Sequence, residues 1–316
     1  MNARNVLLVL STVVTVPLCA QTAKLIARAD SLLGAGEVAR AESLYYAASR
    51  RNTGDNGART ALGRYLASRG AFKIAATLLE EAMVFGADTG ANARARAPVL
   101  QAADDWMTLA QLSHSPLTTA ERERARWLAV NPPAASGADS ITVAFEHSSA
   151  EGLGRIDLVI GSDTLATDID PNVDELVLGD YAHFAALVHV FTGAAGDRVA
   201  VAQRVSVGDL VLERVPARID QRLGPARACI GLTLLAKLAP TVDAAAGMLT
   251  LRRDGRVGAS LGRRRVPVLF SFPGVRIARA DRLVPIESPA GRAVLAEARW
   301  TLDLKRGELV LEVDAR

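Results

Sequence analysis

The side chains in this sequence whose type and spacing could do chemistry are carboxylates. Thr164-Leu165-Ala166-Thr167-Asp168 alternates as a strand should and ends in an acid, and Asp168-Ile169-Asp170-Pro171 follows from it. Two carboxylates that share one proton can divide the work of activating a water, one as base and the other as acid. The whole run from Asp168 to Asp174, with its acids, Pro171 and Asn172, reads equally as a surface turn. A second candidate, Asp88-Thr89-Gly90-Ala91, follows Leu78 to Phe85, whose apolar spacing is helical, so Asp88 is expected at a helix N-terminus or an inter-helix turn.

Other chemistries have less support. His114, His147, His183 and His189 show no ligand spacing with a carboxylate or cysteine pair, so neither a metal nor a cofactor is expected. Cys229 stands at an apolar position before Ile230-Gly231 and reads as a buried structural thiol. Basic residues are dispersed and aromatic residues make up 4% of the chain, which gives no stacking platform for nucleic acid; the net charge is +3. Arg263-Arg264-Arg265 reads as a solvated strand end.

The elements that must position these groups fall into an α part followed by a β part, and 316 residues suffice for two domains with sizeable cores. Residues 1–20 have the form of a secretory signal peptide. Arg4 is the positive region, Val6 to Val16 the apolar one, and Leu18-Cys19-Ala20 the cleavage site. The mature protein is therefore expected to be exported, periplasmic or secreted, with no membrane span after cleavage. Lipidation at Cys19 is the alternative.

From 22 to 130 the apolar period is helical and the segment repeats at thirty-four residues: Leu32/Leu66, Gly36/Gly70, Ala41/Ala75, Leu44/Leu78 and Ala48/Ala82. The pattern resembles two tetratricopeptide repeats, although Arg59 stands where a large aromatic is usual. A third helical region is expected from Ala91 to Leu112, and another from Thr119 to Val130, capped by Thr118 or Thr119 ahead of Glu121. Such repeats either bind a protein partner on a concave face or serve as a packing module.

Residues 131–140, with Pro132-Pro133 and small residues, are expected to be a linker, and beyond them the period becomes two. Cys229-Ile230-Gly231 leads into a short helix carrying Leu232, Leu235 and Leu238 and stopped by Pro240; a hairpin, Thr241 to Asp243 with Met248 to Leu251, follows. This strand, glycine, helix and hairpin series resembles the end of a retropepsin-like aspartic protease domain. The resemblance covers about 141–254 and implies a closed β-barrel of acid-protease type. Asp168, 63 residues before Gly231, takes the place of the catalytic aspartate. It also implies a flap at Val190 to Gly196, with Phe191, Thr192, Gly193 and Gly196 against substrate. The family motif is Asp-Thr-Gly-Ala or Asp-Ser-Gly-Ala at a tight turn. Here Ile169 loses the bracing hydroxyl and Asp170 replaces the glycine.

A shift of sixty residues aligns Gly231 to Asp254 with Gly291 to Asp314. Gly231/Gly291, Leu235/Leu295, Ala236/Ala296, Thr241/Thr301, Asp243/Asp303, Gly247/Gly307, Leu249/Leu309, Leu251/Leu311 and Asp254/Asp314 are identical. Residues 255–316 thus read as a partial repeat of the lobe, expected to complete the barrel without a second aspartate. The resemblance implies an exported aspartic endopeptidase acting on a peptide or protein substrate if the Asp168 turn is competent, with a homodimer as one source of a second acid. The alternative is a non-catalytic peptide- or protein-binding scaffold.

Overall fold

A computed structural model describes residues 3–114, 116–146, 153–179, 188–194, 196, 198–224, 227–257, 263–272, 274–279, 281–296 and 298–312. Seven helices come first: α1 (Ala3–Gly34), α2 (Val38–Arg51), α3 (Asn56–Ser68), α4 (Phe72–Val84), α5 (Thr89–Ala102), α6 (Trp106–Gln111) and α7 (Thr119–Val130). The cleavage point expected after Ala20 lies inside the unbroken α1. Among the described residues no helix is long and apolar enough to cross a membrane.

Successive helices pack as hairpins because the small residues of the thirty-four-residue period sit where they approach: Ala41, Ala48, Ala75 and Ala82 are each fully buried. The helical region expected from Ala91 to Leu112 consists of two helices. The chain leaves α5 at Ala103, takes a left-handed residue at Asp104 and restarts at Trp106, with Asp105 capping Thr108 N at 3.1 Å. Thr118 and Glu121 close a reciprocal capping box on α7, as the spacing predicts.

Residues expected as linker form a strand. β1 (Ala134–Gly137) pairs with β8 (Leu210–Ile219), and β2 (Ser140–Ala144) goes to a different sheet. Then come β3 (Gly154–Ile160), β4 (Asp163–Asp170), β5 (Leu176–Leu178), β6 (Val188–Thr192), β7 (Arg198–Val207) and, after β8, β9 (Ala228–Gly231). Their order is β8-β5-β9-β4-β3-β7, and β7 pairs back with β8, which closes a six-stranded barrel; β1 and β6 flank it. Alternation decides what fills the barrel: Ile156, Leu158 and Ile160 of β3 and Leu165, Thr167 and Ile169 of β4 point inward.

The barrel closes without residues 255–316, so the expectation that they complete it is corrected. β7 and β8 form a long hairpin around Gly208 and supply the last pairing themselves. The remaining elements are α8 (Leu232–Ala236), β10 (Thr241–Asp243), β11 (Met248–Arg252), β12 (Arg263–Phe270), β13 (Val275–Ala278), β14 (Leu283–Pro285), α9 (Pro289–Ala296), β15 (Arg299–Asp303) and β16 (Glu308–Glu312). Their strands join β2 in a second sheet, β14-β13-β12-β16-β15-β10-β11-β2. Its apolar face is continuous with the barrel core through Val242, Leu249, Val266, Phe270 and Leu309.

The turns after α1 and α3 meet this second sheet, while α7 packs on β6 and β7 of the first. Gly36 and Gly70, equivalent in the helical period, have φ of 76° and 79°, and a Cβ on either would collide with a sheet-side carbonyl, Arg279 O or Leu304 O. Between them, Arg69 donates to Val268 O at 2.9 Å, Gly307 O at 2.5 Å and Arg306 O at 3.2 Å.

Candidate functional site

β4 and β9 run parallel, with Asp168 opposite Cys229, Ile169 opposite Ile230 and Asp170 opposite Gly231. Because Ile169 turns into the barrel, Asp168 and Asp170 both face outward. Asp168 lies within the strand. Its Oδ1 accepts from Arg155 Nε at 3.0 Å and its Oδ2 stands 3.9 Å from Arg227 Nη2, so each oxygen faces a guanidinium. The bond to Asp168 in turn pushes the Arg155 pKa up.

The acid at the turn is Asp170. It is the last residue of β4, and its Oδ1 accepts from Asn172 N at 2.8 Å, which closes an Asx turn over Pro171. The strand expected to end at Asp168 is carried two residues further by its pairing with β9. Gly231 follows directly from this arrangement, since a Cβ there would strike Val173 O just past the turn.

A second turn meets the first. β12 ends at Phe270, Ser271 N donates to Gly274 O at 2.9 Å, and a Cβ on Gly274 would lie 3.9 Å from Asn172 Oδ1. The described residues of this turn carry no carboxylate. Phe272 takes a left-handed φ of 32° and is packed edge-on against Phe72 of α4, with ring centroids 5.6 Å apart.

The expected flap is the β6–β7 hairpin. Phe191 is buried, with its ring 6.4 Å from Trp127 of α7, and His189 stacks on the same indole at 5.4 Å. Phe191, expected against substrate, is thus taken up by the helical part. Thr192 and Gly196 are exposed, Gly193 is buried, and Gly196 N donates to Gly193 O at 3.0 Å across the tip; Ala195 and Asp197 lie outside the described residues.

Helix α7 also reaches the segment after the turn. Arg124, 3% exposed, donates from Nη1 to Glu175 Oε2 at 2.7 Å and to Ala217 O at 2.8 Å. Beside that pair, burial pushes Asp174 up to about 6. The Glu175 charge adds to the effect, while Arg218 and the Thr233 hydroxyl oppose it. Cys229 is buried as expected and its thiol is pushed up to about 11, first by burial and then by the neighbouring Asp170 charge. Among the described residues no group of three or more His, Cys, Asp and Glu gathers as a metal site.

Asp88 is the N-cap of α5, its Oδ1 accepting from Ala91 N at 2.9 Å. The local pattern signals that role, but nothing in it indicates that Asp88 also borders a groove of 820 Å³ between helices α1, α3 and α5 and strands β12 to β14. Ile26, Tyr45, Thr60, Arg64, Phe270 and Arg276 line it. Neither Asp168 nor Asp170 does.

Comparison with protein families and with curated proteins finds no match. Among solved structures, a retropepsin-like aspartic protease from Rickettsia conorii is similar over 38% of this chain and 91% of its own, at 12% identity and a TM-score of 0.27.

Proposed function

We propose that this chain is an exported, non-catalytic binding protein built on an acid-protease type of scaffold. The observation that carries this reading is the meeting of the two turns. Proton sharing needs a second carboxylate opposite the first. Opposite Asn172 stands the turn of Ser271, Phe272 and Gly274. Asp168, the other acid of the strand, has both oxygens directed at arginines.

The groove under the helical hairpins is the binding site in this reading. Its 820 Å³ is in the range of ligand-holding clefts, and it combines apolar walls with Arg64, Arg276, Asp30 and Asp88. An extended peptide or protein segment suits such a mixed lining. A pool of fluorescent random nonapeptides should bind the parent saturably and bind Thr60→Trp, which fills the groove, at least about tenfold more weakly at unchanged Tm. No pepstatin-sensitive cleavage should occur at acidic pH. Cleavage by the parent that Asp170→Asn or Asp168→Asn abolishes would overturn the non-catalytic reading.

A further inference from the structure

The expected cleavage site and the packed part of α1 meet at one residue. Cleavage after Ala20 makes Gln21 the first residue of the mature chain. The helix that begins there holds its place through its own contacts: Ala29 is fully buried, and Ile26, Leu32 and Leu33 pack against the helical core. Gln21 is exposed at the start of that stretch, and its side chain is held. Arg51, the last residue of α2, donates from Nη2 to Gln21 Oε1. Arg51 is itself exposed, and among the described residues no carboxylate competes for it.

That bond has a chemical consequence once residues 1–20 are removed. An amide oxygen that accepts from a guanidinium carries a more electrophilic carbon, and the same donor stabilises negative charge developing on the oxygen. The freed α-amine of Gln21 reaches its own Cδ within the same residue and closes on it as an unstrained lactam, with no partner to be brought in. We propose that Gln21 of the exported chain is a modification site, cyclising to pyroglutamate with Arg51 assisting the closure.

The neutral amine attacks Cδ, a C–N bond forms, the amine gives up a proton to the departing Nε2, and ammonia leaves. Nothing is oxidised or reduced. Arg51 donates to Oε1 throughout and keeps its acceptor in the product, because the lactam oxygen is the same atom. The product also suits its place. A free ammonium would sit at the positive end of the α1 dipole, and the lactam removes that charge. It leaves no amine for an aminopeptidase to hold. This inference rests on the export proposed above, and it is independent of the groove and of the absence of catalysis.

Two measurements test it. The protein exported from a host cell should have the mass of residues 21–316 less one ammonia, and should resist N-terminal sequencing until pyroglutamyl aminopeptidase removes the first residue. A chain that starts at Gln21 with a free amine, or that is cut at another residue, overturns the cyclisation and leaves export standing; a chain that keeps residues 1–20 overturns both. The rate then isolates Arg51. Residues 21–316, released from a fusion by a site-specific protease, should lose ammonia at neutral pH at least about fivefold faster than the Arg51→Met variant. That ratio is modest beside the roughly hundredfold effect of a buried oxyanion donor, because Arg51 is exposed. Arg51→Lys should recover part of the rate. Equal rates in the parent and Arg51→Met overturn the proposal that Arg51 assists.

Discussion

Thr241 and Thr301 face each other across β10 and β15 with their hydroxyl oxygens 2.8 Å apart, and they are equivalent positions of the sixty-residue repeat. A residue that pairs with its own repeat counterpart in antiparallel strands lies on a local two-fold axis. The neighbouring contacts obey it: Val242 pairs with Trp300, and Leu302 N donates to Pro240 O at 3.0 Å. β11 and β16 then correspond, as do β2 and the first half of β12.

The hydroxyl pair should be energetically coupled. Both threonines are buried, and Arg252 Nη1 also donates to Thr241 Oγ1 at 2.7 Å. Thr241→Val should cost about 1–3 kcal/mol in urea unfolding, because it strands the buried Thr301 hydroxyl, and Thr301→Val about 0.5–1.5 kcal/mol, because Thr241 keeps its bond from Arg252. The double variant should cost less than the sum by at least about 0.5 kcal/mol. Additive costs would mean that the contact contributes nothing of its own.

Arg124 should matter more than any ion pair at the surface. Replacing it by Met leaves Glu175 buried without its guanidinium and frees Ala217 O, a loss of about 3–5 kcal/mol. Adding Glu175→Gln to that variant should recover part of the loss. Amide exchange should speed up in both α7 and β6, since Trp127 links them.

Stability should fall with rising pH on account of Asp174. Its carboxyl titrates near 6 in the fold against 3.8 for an exposed aspartate, so the folded state binds the proton more tightly. The contribution is fully present below about pH 4 and is lost as pH rises through about 6, up to about 3 kcal/mol in all. Asp174→Asn should flatten that part of the profile. A parent whose stability is level from pH 4 to 7 would contradict the burial of this acid.

Asp168→Asn should by contrast change stability by less than about 1 kcal/mol, since its partners Arg155 and Arg227 are themselves well exposed. Gly70→Ala should cost more, above about 1 kcal/mol, because it combines a left-handed backbone with a collision at Leu304 O. Thermal unfolding of the two variants side by side separates a surface pair from a docking contact.

Local signals make much of this legible. The hairpin around Gly208, the helix after Gly231, the capping box at Thr118 and the threonine pair of the repeat are each written within a few residues or in a visible period. The end of β4 is harder to place because alternation continues evenly through Asp168, Ile169 and Asp170, so the hydrophobic period alone does not say where the strand stops. The signal that does mark it is Asp170-Pro171, a turn-opening pair. What joins the helices to the sheets leaves no trace of that kind. Arg69 with Gly307, Arg124 with Glu175 and Trp127 with His189 are contacts between distant positions, and each partner alone is an unremarkable surface-type residue or a core aromatic.

The axis between Thr241 and Thr301 also bears on dilution. Two halves that meet across a two-fold in a homodimer associate at a strength set by protein concentration, whereas here the halves are tethered by one chain and meet at a fixed effective concentration. The second sheet therefore assembles as an intramolecular event. Its melting midpoint should not shift when the protein is diluted a hundredfold, and a truncation after Arg252 would leave β10 without its β15 neighbour and turn the same surface into a concentration-dependent one.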